Sequence, residues 1–350
     1  MFSFGGSDTA IGLSIGTSSI KIVELAKSRK GWKLLHFGMI QLPDESIVNR
    51  EIVNPIGVVE SIKTLTHQLH LKSKRVCTSL SGASVIVKRM QVEVQSMREI
   101  QEQVFWEAEQ YLPFDVTEVV MDFQVISKSK DNKADVILVA VKKTILESYM
   151  QCVEDAGLKP AVVDVDFFAL QNVYEANYPQ QSSDAVAIVD IGASSTKLVV
   201  VQNGVPVFTK DSVLGGRNLT LDIQKHLNLS IADAETLKVG GGQGGAFPQE
   251  VSELMHIASE NLASEIKRGL DFYAASSSGA PVRYIILAGG GAKVPRLSQT
   301  IEELLSMPTQ LINCFNGIPY DPSIFSQEYL NAISPLAAVP IGLALRAGLK

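Results

Sequence analysis

Residues Ala187–Val201 read AIVDIGASSTKLVVV, a pattern that predicts two β-strands joined by a short turn. The first strand is an apolar run that ends in Asp190, and the second is rich in β-branched residues. Gly192 allows the backbone to come close to whatever lies at the turn. The turn also offers backbone N–H groups and two hydroxyls, from Ala193, Ser194 and Ser195. Such a tip can hold the phosphates of a nucleotide and its Mg²⁺, although the same residues also suit an ordinary turn.

The same pattern occurs near the N-terminus, where Ile11–Leu25 reads IGLSIGTSSIKIVEL. Placing Gly16 on Gly192 gives an offset of 176 residues, and six of the thirteen positions from 11 to 23 are then identical. The offset is close to half of the 350 residues, so we expect two halves that each open with this hairpin. Two hairpins that face each other across a cleft would hold a polyphosphate from both sides.

A third glycine-rich segment, Val282–Pro295, reads VRYIILAGGGAKVP. Paired hairpins followed by a strand that ends in Gly-Gly resemble the actin/Hsp70/sugar-kinase superfamily. Within its FtsA-like branch, the chain is most similar to the PilM family of type IV pilus assembly proteins. This closer resemblance lies in Trp106–Phe114 (WEAEQYLPF), Val162–Leu170 (VVDVDFFAL), Ala187–Lys197 and Ile341–Arg346 (IGLALR). It implies an α/β fold of the actin-like (ribonuclease H-like) two-lobed ATPase type.

Composition indicates an ordinary globular protein. Apolar residues make up 46% of the chain, and the formal net charge is −6 without a long basic run, which disfavours a nucleic-acid partner. The three cysteines form no CxxC pair, so neither structural zinc nor a disulfide framework is expected. No signal peptide or transmembrane helix is expected either. The apolar segment 333–349 contains Pro335 and Pro340 and is predicted to be a buried closing helix.

Strand and helix patterns predict two lobes, at residues 8–182 and 183–350, with the boundary in the sequence PQQSSD at 179–184. Residues 84–160 are predicted to form a small α/β insert in the first lobe, as in the FtsA-like branch. Its helix begins with a capping box at Ser96 and Glu99 and is expected to run to about Tyr111. A smaller helical, glycine-rich subdomain is expected at about 212–279 of the second lobe.

The resemblance implies ATP and Mg²⁺ as cofactors. Asp190 would hold the metal ion, and the two hairpins would bind phosphate through Gly16, Thr17, Ser18, Ser19, Gly192, Ala193, Ser194 and Ser195. Lys21 and Lys197 each follow a hairpin tip on a strand, where they would point either at phosphate or at solvent.

Three further segments match positions that contact nucleotide in bacterial actin homologues. Gly215 and Gly216 precede a predicted helix whose N–H groups would face an anion, or else they form an ordinary strand-to-helix turn. Glu235 and Lys238 lie in a segment that resembles an AExxK motif near ribose and adenine. The third segment comprises Gly289, Gly290, Gly291 and Lys293. Its glycines would let the base or the α-phosphate lie on bare backbone, with Lys293 at the rim.

Hydrolysis is expected to be weak or absent. Many superfamily members have an acidic residue at the position of Ser14, and a hydroxyl supplies no charge to a metal ion. Gln171, in the sequence Ala-Leu-Gln, is the candidate that would orient the attacking water, with Asp164 and Asp166 as rivals.

The resemblance implies a cytoplasmic scaffold at the inner membrane that binds the short cytoplasmic N-terminus of a PilN-like membrane protein. Other pilus assembly proteins and self-association are further candidates. The peptide is expected in a groove between the insert and the Ile11–Leu80 core, near Val85, Val87, Trp106, Tyr111 and Phe114. Trp106 lies off the apolar face of its predicted helix, so it either serves this groove or packs under a neighbouring strand. A small-molecule kinase and an FtsA-like division protein are the alternative functions.

Overall fold

The computed structural model describes residues 9–29, 31–82, 85–93, 96–128, 132–178, 184–240, 248–276 and 279–348. The described strands are β1 (Thr9–Ile15), β2 (Ser19–Ser28), β3 (Gly31–Gln41), β4 (Ile47–Val48), β5 (Glu51–Ile52), β6 (Arg75–Leu80), β7 (Val85–Glu93), β8 (Val119–Lys128), β9 (Lys133–Lys142), β10 (Lys159–Val165), β11 (Ala185–Ile191), β12 (Thr196–Gln202), β13 (Val205–Ser212), β14 (Val282–Ala288) and β15 (Thr309–Leu311). The described α-helices are α1 (Pro55–Gln68), α2 (Met97–Ala108), α3 (Lys143–Asp155), α4 (Asp166–Asn177), α5 (Gly216–Leu227), α6 (Ile231–Gly240), α7 (Gln249–Ser276), α8 (Leu297–Leu305) and α9 (Gln327–Gly348).

Two five-stranded sheets repeat one topology. Their strand orders are β10-β6-β1-β2-β3 and β13-β12-β11-β14-β15. In each sheet three consecutive antiparallel strands are followed by two strands that run parallel to the first. The register repeats as well, because Ser14 lies opposite Lys21 and Asp190 lies opposite Lys197. The duplication predicted from the two hairpins therefore extends to the sheets that carry them.

The largest part of the hydrophobic core lies between the two sheets and is filled by α4 and α9. Leu170 and Val173 of α4 and Ile341 and Leu343 of α9 are fully buried there. By length and composition α9 is the one described helix that could cross a membrane, but 67% of its most apolar window is buried in the protein. The closing helix is therefore a core helix, as predicted.

The outer faces of the sheets are covered by helices. Helices α1 and α3 pack on the first sheet in a cluster that includes Ile11, Ile62 and Val153. Helices α7 and α8 pack on the second sheet, where Ile266 and Leu297 are buried. A smaller apolar cluster joins α5, α6 and the first part of α7.

The insert is a three-stranded antiparallel sheet of order β7-β9-β8 with α2 on one face. Ser96 caps α2 by accepting a hydrogen bond from the Glu99 N–H at 3.3 Å. The helix ends at Ala108, earlier than predicted, and Tyr111 is 49% exposed rather than part of the buried face. The turn that follows Ala108 rotates Tyr111 away from the apolar stripe of the helix.

Several boundaries differ from the sequence prediction. Helix α9 begins at Gln327, earlier than the predicted segment 333–349, and both of its prolines lie inside the helix. The carbonyl of Pro335 accepts a hydrogen bond from the Gly289 N–H at 2.8 Å, which ties α9 to the turn after β14. The sequence analysis did not predict the short strand β15, which forms one edge of the second sheet. Residues 179–183 of the predicted boundary lie outside the described residues.

Candidate functional site

A cleft of about 400 Å³ lies where the two hairpins face each other. It brings together nearly all the residues that were predicted to bind nucleotide. The predicted residues that line it are Gly16, Thr17, Ser18, Ser19, Lys21, Asp190, Gly192, Ala193, Ser194, Ser195, Lys197, Gly216, Glu235, Lys238, Gly289, Gly290, Gly291 and Lys293. Gly215 lies behind the cleft instead of lining it.

The two hairpin tips have the same geometry. The Gly16 N–H donates to the Ser19 carbonyl at 3.0 Å, and the Gly192 N–H donates to the Ser195 carbonyl at 2.8 Å. The tips also touch each other, because the hydroxyls of Thr17 and Ser194 lie 2.9 Å apart. Hydroxyl groups from both halves of the chain therefore meet in the cleft.

Lys197 was expected to point either at phosphate or at solvent, but its ammonium lies between two carboxylates. The residue is 5% exposed, and its Nζ lies 2.8 Å from Asp190 Oδ2 and 3.1 Å from Asp166 Oδ2. Burial by itself lowers the pKa of Lys197, but the two carboxylates outweigh burial and hold the pKa above its ordinary value. Lys197 is therefore a permanent cation at the floor of the cleft.

The sequence suggested Asp166 only as an alternative residue to orient water. In the structure its carboxylate contacts Ser79 and Lys197 at the cleft. Its Oδ1 accepts a hydrogen bond from the Ser79 hydroxyl at 2.5 Å, and its Oδ2 faces Lys197. Burial by itself raises the pKa of Asp166, but Lys197 and Ser79 together hold the pKa below its usual range. Asp166 follows β10 at the carboxyl edge of the first sheet, a position that sheet order alone would have indicated.

Arg50 is a cleft residue that sequence reasoning missed. It lies in the turn between β4 and β5, and its guanidinium donates to the Ser195 hydroxyl and, at 2.6 Å, to the Ser81 hydroxyl. Asp211 lies 3.8 Å from the same group, and burial raises the pKa of that carboxyl. Arg50 thus links the first half of the chain to the second hairpin. No local motif marked it, because its role depends on the contact between the halves.

Lys21 remains close to the first hairpin. Its Nζ donates to the Ser19 hydroxyl at 2.9 Å. Burial lowers the pKa of Lys21, and the neighbouring Lys197 adds to this effect while Asp190 opposes it. Lys21 lines the cleft without a carboxylate as a direct partner, in contrast to Lys197.

The start of α5 holds the second hairpin and does not present free N–H groups to an anion. The Gly216 and Arg217 N–H groups donate to the carbonyls of Gly192 and Ala193, at 2.9 and 2.7 Å. An added Cβ at Gly215 would lie 2.5 Å from the Ala193 carbonyl oxygen, which explains the glycine. Gly215 therefore allows the start of α5 to pack directly on the turn of the second hairpin.

The remaining cleft wall comes from α6 and from the turn after β14. Lys238 Nζ lies 2.6 Å from Glu235 Oε2 and 2.9 Å from Thr220 Oγ1, which ties α6 to α5. Gly289 has a φ of +84°, and an added Cβ there would lie 2.6 Å from Asp190 Oδ1. This turn therefore presents bare backbone beside the carboxylate, and Lys293 is exposed at its rim.

The donor set at Asp190 fits a divalent metal ion poorly. Asp190 Oδ2 is already paired with Lys197, and the equivalent position in the first sheet is Ser14, which also lines the cleft. Among the described residues there is no cluster of three or more His, Cys, Asp or Glu side chains with the arrangement of a metal site. Mg²⁺ prefers several oxygen ligands at short distance. Weak hydrolysis, which was argued from Ser14, stays a prediction.

Gln171 lies away from the cleft, so the prediction that it orients water there is wrong. Its side-chain amide donates to the Gly204 carbonyl at 2.6 Å and to Glu175 at 2.8 Å. Together with Asp164 it lines a second cavity. The cause is the orientation of α4, which directs Asp166 toward the cleft and Gln171 toward β13.

The second cavity has a volume of about 460 Å³ and lies between the insert and the rest of the protein. One wall is the face of β8 and β9 that is turned away from α2, and the other is formed by β10, α4 and the start of β13. The apolar lining residues are Leu80, Val120, Phe123, Ile126, Ile137, Val139, Val141, Leu146, Val163, Val165, Phe168, Val205 and Pro206. Two of them are openly exposed, Val163 at 39% and Val120 at 44%. Asp164 and Arg346, 3.4 Å apart, provide charge at its edge.

None of the five residues predicted to contact a partner peptide lines this cavity. Trp106 is 63% exposed on the opposite side of the insert sheet, so it neither packs under a strand nor faces the cavity. Tyr111 and Phe114 lie under the ammonium groups of Lys88 and Lys142, at 4.7 and 4.2 Å. The last two predicted residues pack into the protein core, namely Val85 and Val87. A groove beside the insert is present, but its other wall is formed by β10, α4 and the start of β13, and only Leu80 of the predicted Ile11–Leu80 core lines it.

Comparison with known proteins agrees with this geometry. The curated cell division protein FtsA of Bacillus subtilis is 25% identical over 69% of this chain and 60% of its own length. FtsA of Borreliella burgdorferi is 26% identical over 61% of this chain and 54% of its own length. The chain thus spans little more than half the length of these curated relatives.

Solved structures share the fold along almost the whole chain. The chain is similar to a structure described as the PilM-PilN type IV pilus biogenesis complex, with a TM-score of 0.87 and 29% identity over 97% of this chain and 98% of that one. It is also similar in fold to MreB5 of Spiroplasma citri bound to AMPPNP, with a TM-score of 0.52 and 12% identity over 94% of this chain and 99% of that one. The two-lobed actin-like α/β fold is thereby confirmed.

The family model for the type IV pilus assembly protein PilM matches residues 12–348, which include both hairpins, the insert and the closing helix. Because this match covers nearly the whole chain, the protein belongs to the PilM family of type IV pilus assembly proteins.

Proposed function

We propose that this protein is an ATP-binding cytoplasmic scaffold of the type IV pilus inner-membrane complex. It binds the short cytoplasmic N-terminus of a PilN-like membrane protein and is held at the membrane through that partner. The observation that carries the proposal is the similarity, over nearly the full length of both chains, to the PilM-PilN complex. The two lobes of this scaffold are proposed to comprise residues 8–182 and 183–350.

The charge of the cleft supports binding of a nucleotide polyphosphate. Among the described lining residues, five are cationic (Lys21, Arg50, Lys197, Lys238 and Lys293) and three are acidic (Asp166, Asp190 and Glu235). The lining thus has a net charge of +2. Phosphate oxygens would meet the hairpin hydroxyls and N–H groups, and the base would lie on the bare backbone of Gly289–Gly291.

The second cavity supports binding of an extended apolar peptide. It offers apolar side chains on both walls, and β8 on its lining is an edge strand with one free side. Edge strands add a peptide strand through backbone hydrogen bonds while neighbouring pockets select its side chains. Val120 and Val163 expose their apolar side chains within this apolar lining. Contiguous exposed apolar surface of this kind marks interaction sites.

A kinase activity is less well supported. The first-half carboxylate at the cleft, Asp166, is paired with Lys197, and its lowered pKa weakens it as a general base. The FtsA alternative rests on relatives that this chain matches over only part of their length.

Lys293 provides a test of nucleotide binding, because it is exposed at the cleft rim and its removal leaves the core intact. We expect Lys293→Ala to weaken ATP binding about 5- to 10-fold in a calorimetric titration, the scale of one charge-assisted contact. Lys225→Ala is the matched control, since Lys225 is exposed on α5 outside the cleft. Equal affinity of the two variants, or no binding of ATP or ADP by folded wild type, would contradict the assignment.

A further inference from the structure

We propose that the ammonium group of Lys197 takes the place of the divalent metal ion at Asp190, so that this cleft binds a nucleoside di- or triphosphate without a divalent cation. The inference rests on the proposed nucleotide binding and specifies its chemistry. It departs from the expectation of Mg²⁺ that the fold family implies.

The first support is the register of β11 and β12. Asp190 and Lys197 are directly opposite each other on neighbouring antiparallel strands, so their side chains emerge on the same face. Their contact at 2.8 Å is therefore fixed by the backbone and does not depend on a flexible loop.

The second support is the cost of removing Lys197 from this place. Asp166 holds the same ammonium from the other side at 3.1 Å, and Lys197 is only 5% exposed. A metal ion at Asp190 would have to displace the buried ammonium of Lys197. Two carboxylates bind this ammonium, and the strand register places it beside Asp190. Separating such a pair leaves uncompensated buried charge, which proteins avoid.

The third support is the lack of room and of further ligands. The other oxygen of Asp190, Oδ1, faces Gly289 so closely that one added Cβ would lie 2.6 Å from it. In the first half, the equivalent residue is Ser14, which faces Lys21 across the strand pair. A metal ion would thus find two carboxylates, Asp190 and Asp166, that Lys197 already engages, whereas the phosphates find several cations in the same cleft.

The decisive measurement is a pair of calorimetric titrations of the wild-type protein with ATP, one with excess Mg²⁺ and one with excess EDTA at equal ionic strength. We expect the two dissociation constants to agree within about threefold. A larger gain with Mg²⁺ overturns the proposal. If ATP and ADP bind under neither condition, the proposed nucleotide binding fails instead, so the two failures are distinguishable.

The Lys197→Met variant is expected to make ATP binding depend on Mg²⁺. In Lys197→Met the Asp190 carboxylate is freed, so we expect ATP affinity in EDTA to fall at least about tenfold and Mg²⁺ to restore part of it. Lys225→Met is the matched control and should behave as wild type under both conditions. Electron paramagnetic resonance of added Mn²⁺ gives an independent readout on nucleotide-free protein, in which only Lys197→Met should bind the ion. Mn²⁺ binding by nucleotide-free wild type would overturn the proposal, even if the variant fails to fold.

Discussion

Replacing Val163 with lysine is expected to weaken binding of a PilN-like N-terminal peptide by at least about 30-fold. Val163 lies on β10, is 39% exposed and lines the second cavity opposite the face of β8. A bound apolar peptide would bury the new ammonium without a partner, at a cost of roughly 2 kcal/mol or more. Fluorescence anisotropy of a labelled peptide measures the change directly.

Val213→Lys is the matched control, since the same substitution is made at a valine that is 92% exposed and lies outside the cavity. Its peptide affinity should stay within about twofold of wild type. Trp106→Ala should also have little effect, because Trp106 lies on the other side of the insert sheet. A loss with Trp106→Ala and none with Val163→Lys would assign the peptide to the α2 side of the insert.

The Gly342→Ala variant is expected to lose about 2–4 kcal/mol of unfolding free energy. Gly342 lies in α9, and an added Cβ would overlap the carbonyl of Ala169 in α4. Both helices fill the core between the two sheets, so neither can move aside without opening that core. Helix propensity alone would favour alanine by about 1 kcal/mol, so the sign of the change separates packing from propensity.

Gly240→Ala in α6 is the control, because no described atom lies within 4 Å of the added Cβ. It should be as stable as wild type or slightly more stable. Urea unfolding of both variants measures the difference. If Gly342→Ala is no less stable than wild type, the close contact of α4 and α9 is wrong.

The hairpins and their strands were predictable because they depend on local sequence. Short apolar and β-branched runs predicted β1, β2, β11 and β12, and the repeat at an offset of 176 residues indicated that both halves open with the same hairpin. The glycines at the tips marked the turns, since a tight turn of this kind leaves little room for a side chain.

The pairing of Asp190 with Lys197 follows from the register of the β11–β12 hairpin, but the second ion pair at the floor of the cleft was not predictable in the same way. Whether Lys197 also meets Asp166 depends on sheet order and on how α4 packs between the sheets. Arg50 is a similar case, because its partner Ser195 is 145 residues away in the chain. Such contacts are properties of the assembled halves and leave no local pattern.

The position of the partner groove was also not predictable from local sequence. Trp106 was singled out because it lies off the apolar face of α2, and the structure does expose it. Exposure alone does not say which surface is used, however, and the apolar cavity forms only where the insert sheet meets β10 and α4. The closing helix α9 is longer than the sequence predicted, because its buried setting tolerates two prolines that would end an exposed helix.

The most direct test of the account is a calorimetric titration of the folded wild-type protein with a synthetic peptide of the cytoplasmic N-terminus of its PilN-like partner, with and without ATP. We expect a saturable interaction with one peptide per chain, which Val163→Lys weakens at least about 30-fold and Val213→Lys retains. No heat of binding with well-folded protein, both in the presence and in the absence of ATP, would contradict the claim that this chain is a PilN-binding scaffold.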